Sequence, residues 1–145
     1  QINTIFDSKD SYIEDKLNSY LRIRETKNLL EDEVKINLTL KKNISKDGVR
    51  KNIEITTPIG DKESMIDILK DLRYGVVEEG YKNRTSYIYE NIRFDLDNWD
   101  EDTYPYPYME IEVEKEKDLE KAISLLKIDK NNISTKSIVE LKEEL

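Results

Sequence analysis

The chain contains no cysteine and no histidine. Disulfides, Cys/His zinc sites and any Ser-His or Cys-His nucleophile pair are therefore excluded. Catalysis, where there is any, falls to carboxylates, Lys, Arg, Tyr and a hard metal ion. No apolar run is long enough to span a membrane and no signal peptide is visible, so the expected compartment is the cytoplasm. Positive charge is in deficit: 24 Lys and Arg stand against 32 Asp and Glu, a net charge of −8. That argues against a general binder of nucleic acid or of a membrane surface, while leaving room for a local basic pocket. Repeats and low-complexity linkers are also lacking. With 145 residues, one domain with one core is expected.

The segment Tyr108-Met109-Glu110-Ile111-Glu112-Val113-Glu114 alternates acid and apolar residues at period two. As a strand it puts Glu110, Glu112 and Glu114 on one face and Met109, Ile111 and Val113 on the other. Three carboxylates on one strand face repel each other, and open water, basic partners or a bound cation must offset that.

The same period recurs. Strands are expected at Ile2 to Phe6, Tyr20 to Glu25, Glu33 to Lys42, Arg50 to Thr57, Val76 to Tyr89 (one bent strand or a pair) and Asn91 to Leu96. Asp7-Ser8-Lys9-Asp10 reads as a turn, and a loop runs through Gly48. Met65, Ile66, Ile68, Leu69 and Leu72 follow helical spacing, with Gly75 as the stop; Leu119, Ala122, Ile123, Leu125 and Leu126 mark a second helix. Ser137-x-x-Glu140 fits a capping box for a short third helix. Seven or eight mostly antiparallel strands with a few helices give an α+β fold.

Nearly every strand has one apolar and one strongly charged face. Arg22 and Arg24, Lys41, Arg50 with Glu54, Lys82 with Arg84, Arg93 with Asp95 and Asp97, and the Glu110 series are the charged ones. A wet outer face would explain them, although such faces usually mix in Ser, Thr, Gln and Asn. If helices cover the apolar faces, a curled sheet encloses the charged ones. Such an interior is costly when empty and makes sense around water and a multiply charged ligand. Basic residues suit phosphate oxygens, and carboxylates suit Mg²⁺ or Mn²⁺.

In order along the chain, Gln1-Ile2-Asn3-Thr4-Ile5-Phe6-Asp7-Ser8, Leu21-Arg22-Ile23-Arg24, Leu38-Thr39-Leu40-Lys41, Arg50 with Glu54, Lys82-x-Arg84, Asp95-Leu96-Asp97, Met109-Glu110-Ile111-Glu112 and Thr135-Lys136-Ser137 through Leu141 resemble the motifs of the CYTH superfamily, the triphosphate tunnel metalloenzymes. Thr56 stands where that family has an acid, and Ile138 where it has Tyr. The family's Glu-x-Glu-x-Lys motif is absent and would precede Gln1, so the chain resembles a single CYTH-like domain, 1–145, lacking its first strand.

The resemblance implies a closed eight-stranded β-tunnel with helices packed outside. It implies Arg22, Arg24, Lys41, Arg50, Lys82 and Arg84 as ligands of the triphosphate. Glu110 and Glu112 would hold the metal, Mg²⁺ or Mn²⁺, with Asp97 holding or orienting it. Asp97 and Glu54 are the catalytic candidates, Glu54 to orient basic side chains or water. Glu114 would lie at the mouth or serve structure. The function implied is divalent-metal-dependent hydrolysis of a triphosphate. The alternatives are a class IV-type adenylate cyclase and a non-catalytic polyphosphate- or nucleotide-binding domain, which the missing motif favours. The partner is a small-molecule triphosphate or polyphosphate rather than nucleic acid or membrane, and pairing into a homodimer is compatible with this.

Tyr104-Pro105-Tyr106-Pro107-Tyr108 reads as a stiff loop entering a strand, with contact to a base or thiamine ring as the alternative. Trp99, in the acidic loop Asp97 to Asp102, reads as core packing or exposed, with ring stacking as the alternative, and Asn98, Asp100, Glu101 and Asp102 read as a solvated hairpin tip that lacks calcium-loop spacing.

Overall fold

Alternation at period two becomes seven antiparallel strands in a computed structural model that describes residues 1–44 and 51–145. The chain forms two compact units, Gln1–Tyr81 and Lys82–Leu145. Arg50 and Gly48 lie outside the described residues.

In the first unit β1 (Ile2–Asp7), β2 (Ser19–Asn28), β3 (Glu33–Asn43) and β4 (Asn52–Pro58) form antiparallel neighbours, and β1 pairs on its other side with β5 (Gly75–Tyr89) as far as Tyr81. The register decides the faces. Ile23 lies opposite Thr4 and Leu38, while Arg22 lies opposite Ile5 and Thr39. Ile23 and Arg22 therefore project to opposite sides of the sheet. The apolar side meets helix α1 (Lys62–Asp71): Phe6, Ile23 and Leu69 are buried together, with Leu21, Ile36, Leu38, Met65 and Ile66 packed around them. Ile53 and Ile55 of β4 stay exposed, so the helix covers only part of the apolar side.

Two local devices join these elements. Asp7 binds the backbone of a π-helical turn at Tyr12–Lys16, its Oδ1 accepting from Ile13 N at 2.9 Å and its Oδ2 from Glu14 N at 3.0 Å. Asp61 caps α1 by accepting from Ser64 N at 3.2 Å. The expected stop at Gly75 is corrected. The helix ends at Asp71, and Arg73, two residues before Gly75, takes the left-handed conformation (φ 68°). Arg73 N–H donates to Lys70 O and Tyr74 N–H to Leu69 O, each at 2.8 Å, which satisfies the terminal carbonyls before Gly75 is reached. Gly75 instead opens β5, which is one strand and not a pair, with a register shift against β1 between Ile5 and Phe6.

In the second unit the remainder of β5 pairs with β6 (Ile92–Trp99), and β6 with β7 (Tyr108–Glu112). Glu90 and Asn91, both with positive φ, make the two-residue turn between β5 and β6 that suits a twisted hairpin. Ile92, Phe94 and Ala122 are buried together, joined by Met109, Ile111 and Val113; Ala122 comes from α2 (Glu116–Leu126). The expected capping box closes the start of α3 (Ile138–Lys142): Ser137 Oγ accepts from Glu140 N at 3.2 Å, and Ser137 N donates to Glu140 Oε2 at 2.6 Å.

The fold is α+β and antiparallel, as expected. The described residues contain seven strands, one fewer than the family resemblance implies. Among them no helix is long and apolar enough to cross a membrane.

Candidate functional site

Each unit carries one charged sheet face. In the first, the ladders align three rows across β2, β3 and β4: Tyr20–Lys41–Glu54, Arg22–Thr39–Thr56 and Arg24–Asn37–Pro58. Three expected cations and Glu54 thus share one face. Lys41 Nζ lies 3.0 Å from Glu54 Oε1. Burial pushes the Glu54 carboxyl up, but the hydrogen bond and charge of Lys41 and the charges of Arg22 and Arg24 hold it below its ordinary value. Glu54 is therefore an anion among cations, paired with Lys41.

Arg22 is set differently. It is 8% exposed, and its Nε has no hydrogen-bond partner among the described residues. Toward β3 and β4 its row offers no carboxylate: Thr56, standing where the family has an acid, bonds instead to Thr39, oxygen to oxygen at 2.9 Å, and the one acid of the row, Glu78 on β5, is two strands away across Ile5. The Tyr20 ring lies 5.6 Å from the Arg22 guanidinium carbon and 6.0 Å from Lys41 Nζ, so one aromatic face serves two cations. Arg24 Nε donates to Asn3 Oδ1 at 2.6 Å.

The second face is an ion-pair lattice. Lys82 Nζ meets Asp97 Oδ2 at 2.8 Å. Arg84 reaches Asp97 through Nε and NH2, Asp95 through NH1 and Glu110 through NH2, each at 2.6 Å. Asp95 also accepts from Ser86 Oγ at 2.5 Å and from Arg93 Nε at 2.9 Å. The Asp95 and Asp97 side chains are fully buried. Burial raises the Asp97 carboxyl, and the bonds from Arg84 and Lys82 outweigh it, leaving Asp97 below its ordinary value. Burial, joined by the Arg84 charge, takes Lys82 down to about 8 against the opposing pull of Asp97 and Glu110. Arg84 is disfavoured by burial yet ends above its ordinary value through Asp97, Glu110 and Asp95.

Asp97 is thus committed to Lys82 and Arg84. The acid beside Glu110 and Glu112 is Asp95, and one carboxylate oxygen from each of the three lies within 4.8 Å of the others. The set is all hard oxygen and fits Mg²⁺ or Mn²⁺ in donor type. Both Asp95 oxygens are already engaged by Arg84, Ser86 and Arg93, so Glu110 and the exposed Glu112 are the members better placed to hold a cation. Glu114 lies beyond β7 and is exposed.

Lys82 Nζ also sits 4.9 Å from the centre of the Trp99 ring, and Trp99 Nε1 donates to Tyr108 Oη at 2.8 Å. Trp99 therefore ends β6, where a loop from Asp97 is expected, and its ring lies beside the lattice. Tyr104 packs edge-on against Tyr106 and Tyr108 where the loop enters β7. Asp100 closes the preceding turn by accepting from Thr103 N at 2.8 Å.

Sequence reasoning missed Asn3 and Tyr20, which carry no charge, and did not rank Asp95 as a site residue. The signal for Asp95 was the period-two pair it forms with Asp97.

A comparison with curated protein sequences gives no significant match. Among solved structures, the PH1012 protein from Pyrococcus horikoshii is similar at TM-score 0.75 and 20% identity, over 97% of this chain and 80% of that one. A conserved hypothetical protein from Pyrococcus furiosus is similar at TM-score 0.74 and 18% identity, over 97% and 80%. A Bacillus halodurans protein described as a "putative adenylate cyclase" is similar at TM-score 0.66 and 19% identity, over 96% and 79%. The CYTH domain family model matches residues 1–139. The chain belongs to the CYTH domain family, a family of triphosphatases and adenylate cyclases that is generally dependent on divalent metal.

Proposed function

We infer that this protein is a divalent-metal-dependent triphosphatase, acting on a small-molecule triphosphate within the closed eight-stranded tunnel that the family resemblance implies. The observation that carries the reading is Arg22: a buried guanidinium with an unmet Nε, whose row neighbours on β3 and β4 are Thr39 and Thr56, beside Arg24 and Lys41. A buried cation left this way is costly, and a polyanion offsets that cost. Phosphate oxygens accept from Arg22, Arg24 and Lys41, and Glu54 holds the Lys41 ammonium in place. Arg84 and Lys82, braced by Asp97, keep positive charge beside Glu110. Glu110 and Glu112 would hold the divalent ion, which supplies charge neutralisation on the phosphate chain.

Two measurements test this. Inorganic tripolyphosphate at millimolar concentration should raise the melting temperature, because a ligand of the native state stabilises by mass action. Phosphate release from tripolyphosphate should require Mg²⁺ or Mn²⁺. The neighbour from Bacillus halodurans named for cyclase activity supports a second reading. Incubation with ATP separates the two: cyclic AMP and pyrophosphate mark a cyclase, and orthophosphate marks a hydrolase. Binding without turnover would leave a polyphosphate-binding domain.

A further inference from the structure

Asn3 is 3% exposed, and its Oδ1 accepts from Arg24 Nε. An arginine Nε–H can only donate, so this bond fixes which end of the Asn3 amide is oxygen. The other end is then Nδ2, carrying two N–H donors, and it has no hydrogen-bond partner among the described residues.

Asn3 shares its sheet face with the cations. In the β1–β2 ladder Asn3 is opposite Arg24, and Ile5 is opposite Arg22. On β5 the residue opposite Asn3 is Gly80, which has no side chain to accept from the amide. The face therefore presents two buried, unmet donors, Asn3 Nδ2 and Arg22 Nε. The Asn3 amide and the Arg22 guanidinium both call for an acceptor that brings no proton of its own, and a phosphate oxygen is such an acceptor.

We propose that Asn3 is a ligand residue of this anion site, its Nδ2 donating to an oxygen of a bound phosphate chain while its Oδ1 holds Arg24. The inference rests on reading this face as a polyphosphate site. It adds to the cations a neutral donor whose orientation Arg24 dictates.

Calorimetric titration of the protein with inorganic tripolyphosphate, in metal-free buffer, tests it. Asn3→Ala should weaken binding about tenfold. Asn3→Asp keeps the acceptor for Arg24 and nearly the same shape, but it removes the donor and adds a repelling charge, so it should weaken binding further. Thermal melts confirm that each variant is folded, and the near-isosteric Asn3→Asp serves if Asn3→Ala is not. The decisive comparison uses Arg24→Ala as background. A direct ligand still loses affinity there when Asn3 is replaced. No further loss on that background would reduce Asn3 to a positioning residue for Arg24 and overturn the proposal, as would wild-type affinity in Asn3→Asp. Failure of the wild-type protein to bind tripolyphosphate would overturn the anion-site reading and this inference together.

Discussion

Arg84 and Asp97 stand opposite each other in the β5–β6 ladder, and their side chains meet through two near-parallel hydrogen bonds, Nε to Oδ1 and NH2 to Oδ2, each at 2.6 Å. The same guanidinium also binds Asp95 and Glu110. Arg84 is therefore the hub of a buried ion-pair lattice before any ligand arrives. Arg22, on the other charged face, belongs to no such lattice among the described residues. Two arginines that the family resemblance assigns to the same ligand thus stand in opposite surroundings.

Arg84→Ala should destabilise the protein by about 3–5 kcal/mol, because it strands the buried Asp95 and Asp97 carboxylates without their main partner. Arg84→Lys should recover only part of this, since an ammonium cannot reproduce the paired bonds. Urea unfolding measures both. A loss under about 1 kcal/mol would mean the lattice contributes little.

Arg22→Met, which retains an apolar stem, should leave stability unchanged or raise it, because it removes an unmet buried donor and one of several like charges. The same substitution should weaken tripolyphosphate binding by roughly tenfold to a hundredfold, the value of one or more charge-assisted hydrogen bonds. If melting falls sharply while affinity holds, Arg22 serves the fold and not a ligand.

The strand faces were legible because period two is a local property. Arg22 and Arg24, or Glu110 and Glu112, must share a face wherever the strand lies. The Ser137–Glu140 capping box was legible for the same reason, both partners lying within one turn. Asp95 was not, because Asp95 and Asp97 have the same period. Only the β6–β7 register, set through the 100–107 loop, decides that Asp95 lies opposite Glu110. Asn3 was hidden in an apolar run, and its role follows from pairing with Arg24, twenty-one residues away. Arg73 takes the left-handed helix stop that composition assigns to glycine, since closing the helix there satisfies Leu69 and Lys70 carbonyls.

Lys82 links the lattice to pH. Burial and the Arg84 charge bring it to about 8, below its ordinary 10.5. A lysine with a depressed folded-state value binds its proton less tightly when folded. It therefore weighs against folding below about pH 8, and that cost is relieved as pH rises from about 8 toward 10.5. Its charge in the folded protein, however, is lost around pH 8. Affinity for tripolyphosphate should fall between pH 7 and 9.5 in the wild type and fall less in Lys82→Arg, which stays charged. Comparing the two cancels the titration of the ligand itself. Parallel profiles would show that Lys82 does not meet the polyanion.

Glu110 and Glu112 separate in the same way. They are two residues apart on one face of β7, and one carboxylate oxygen from each lies within 4.8 Å of the other, so both can face one cation. Glu110 already accepts from Arg84 at 2.6 Å, whereas Glu112 is exposed. Glu112→Gln should raise the Mg²⁺ or Mn²⁺ concentration needed for half-maximal turnover by about tenfold or more while leaving the melting temperature in place. Glu110→Gln should do the same and also lower the melting temperature, because Arg84 loses a charged partner. Metal-free tripolyphosphate binding should persist in both, since Arg22, Arg24 and Lys41 are untouched. Full turnover in the presence of a chelator, or in the double variant, would end the metalloenzyme reading and leave the protein as a polyphosphate-binding domain.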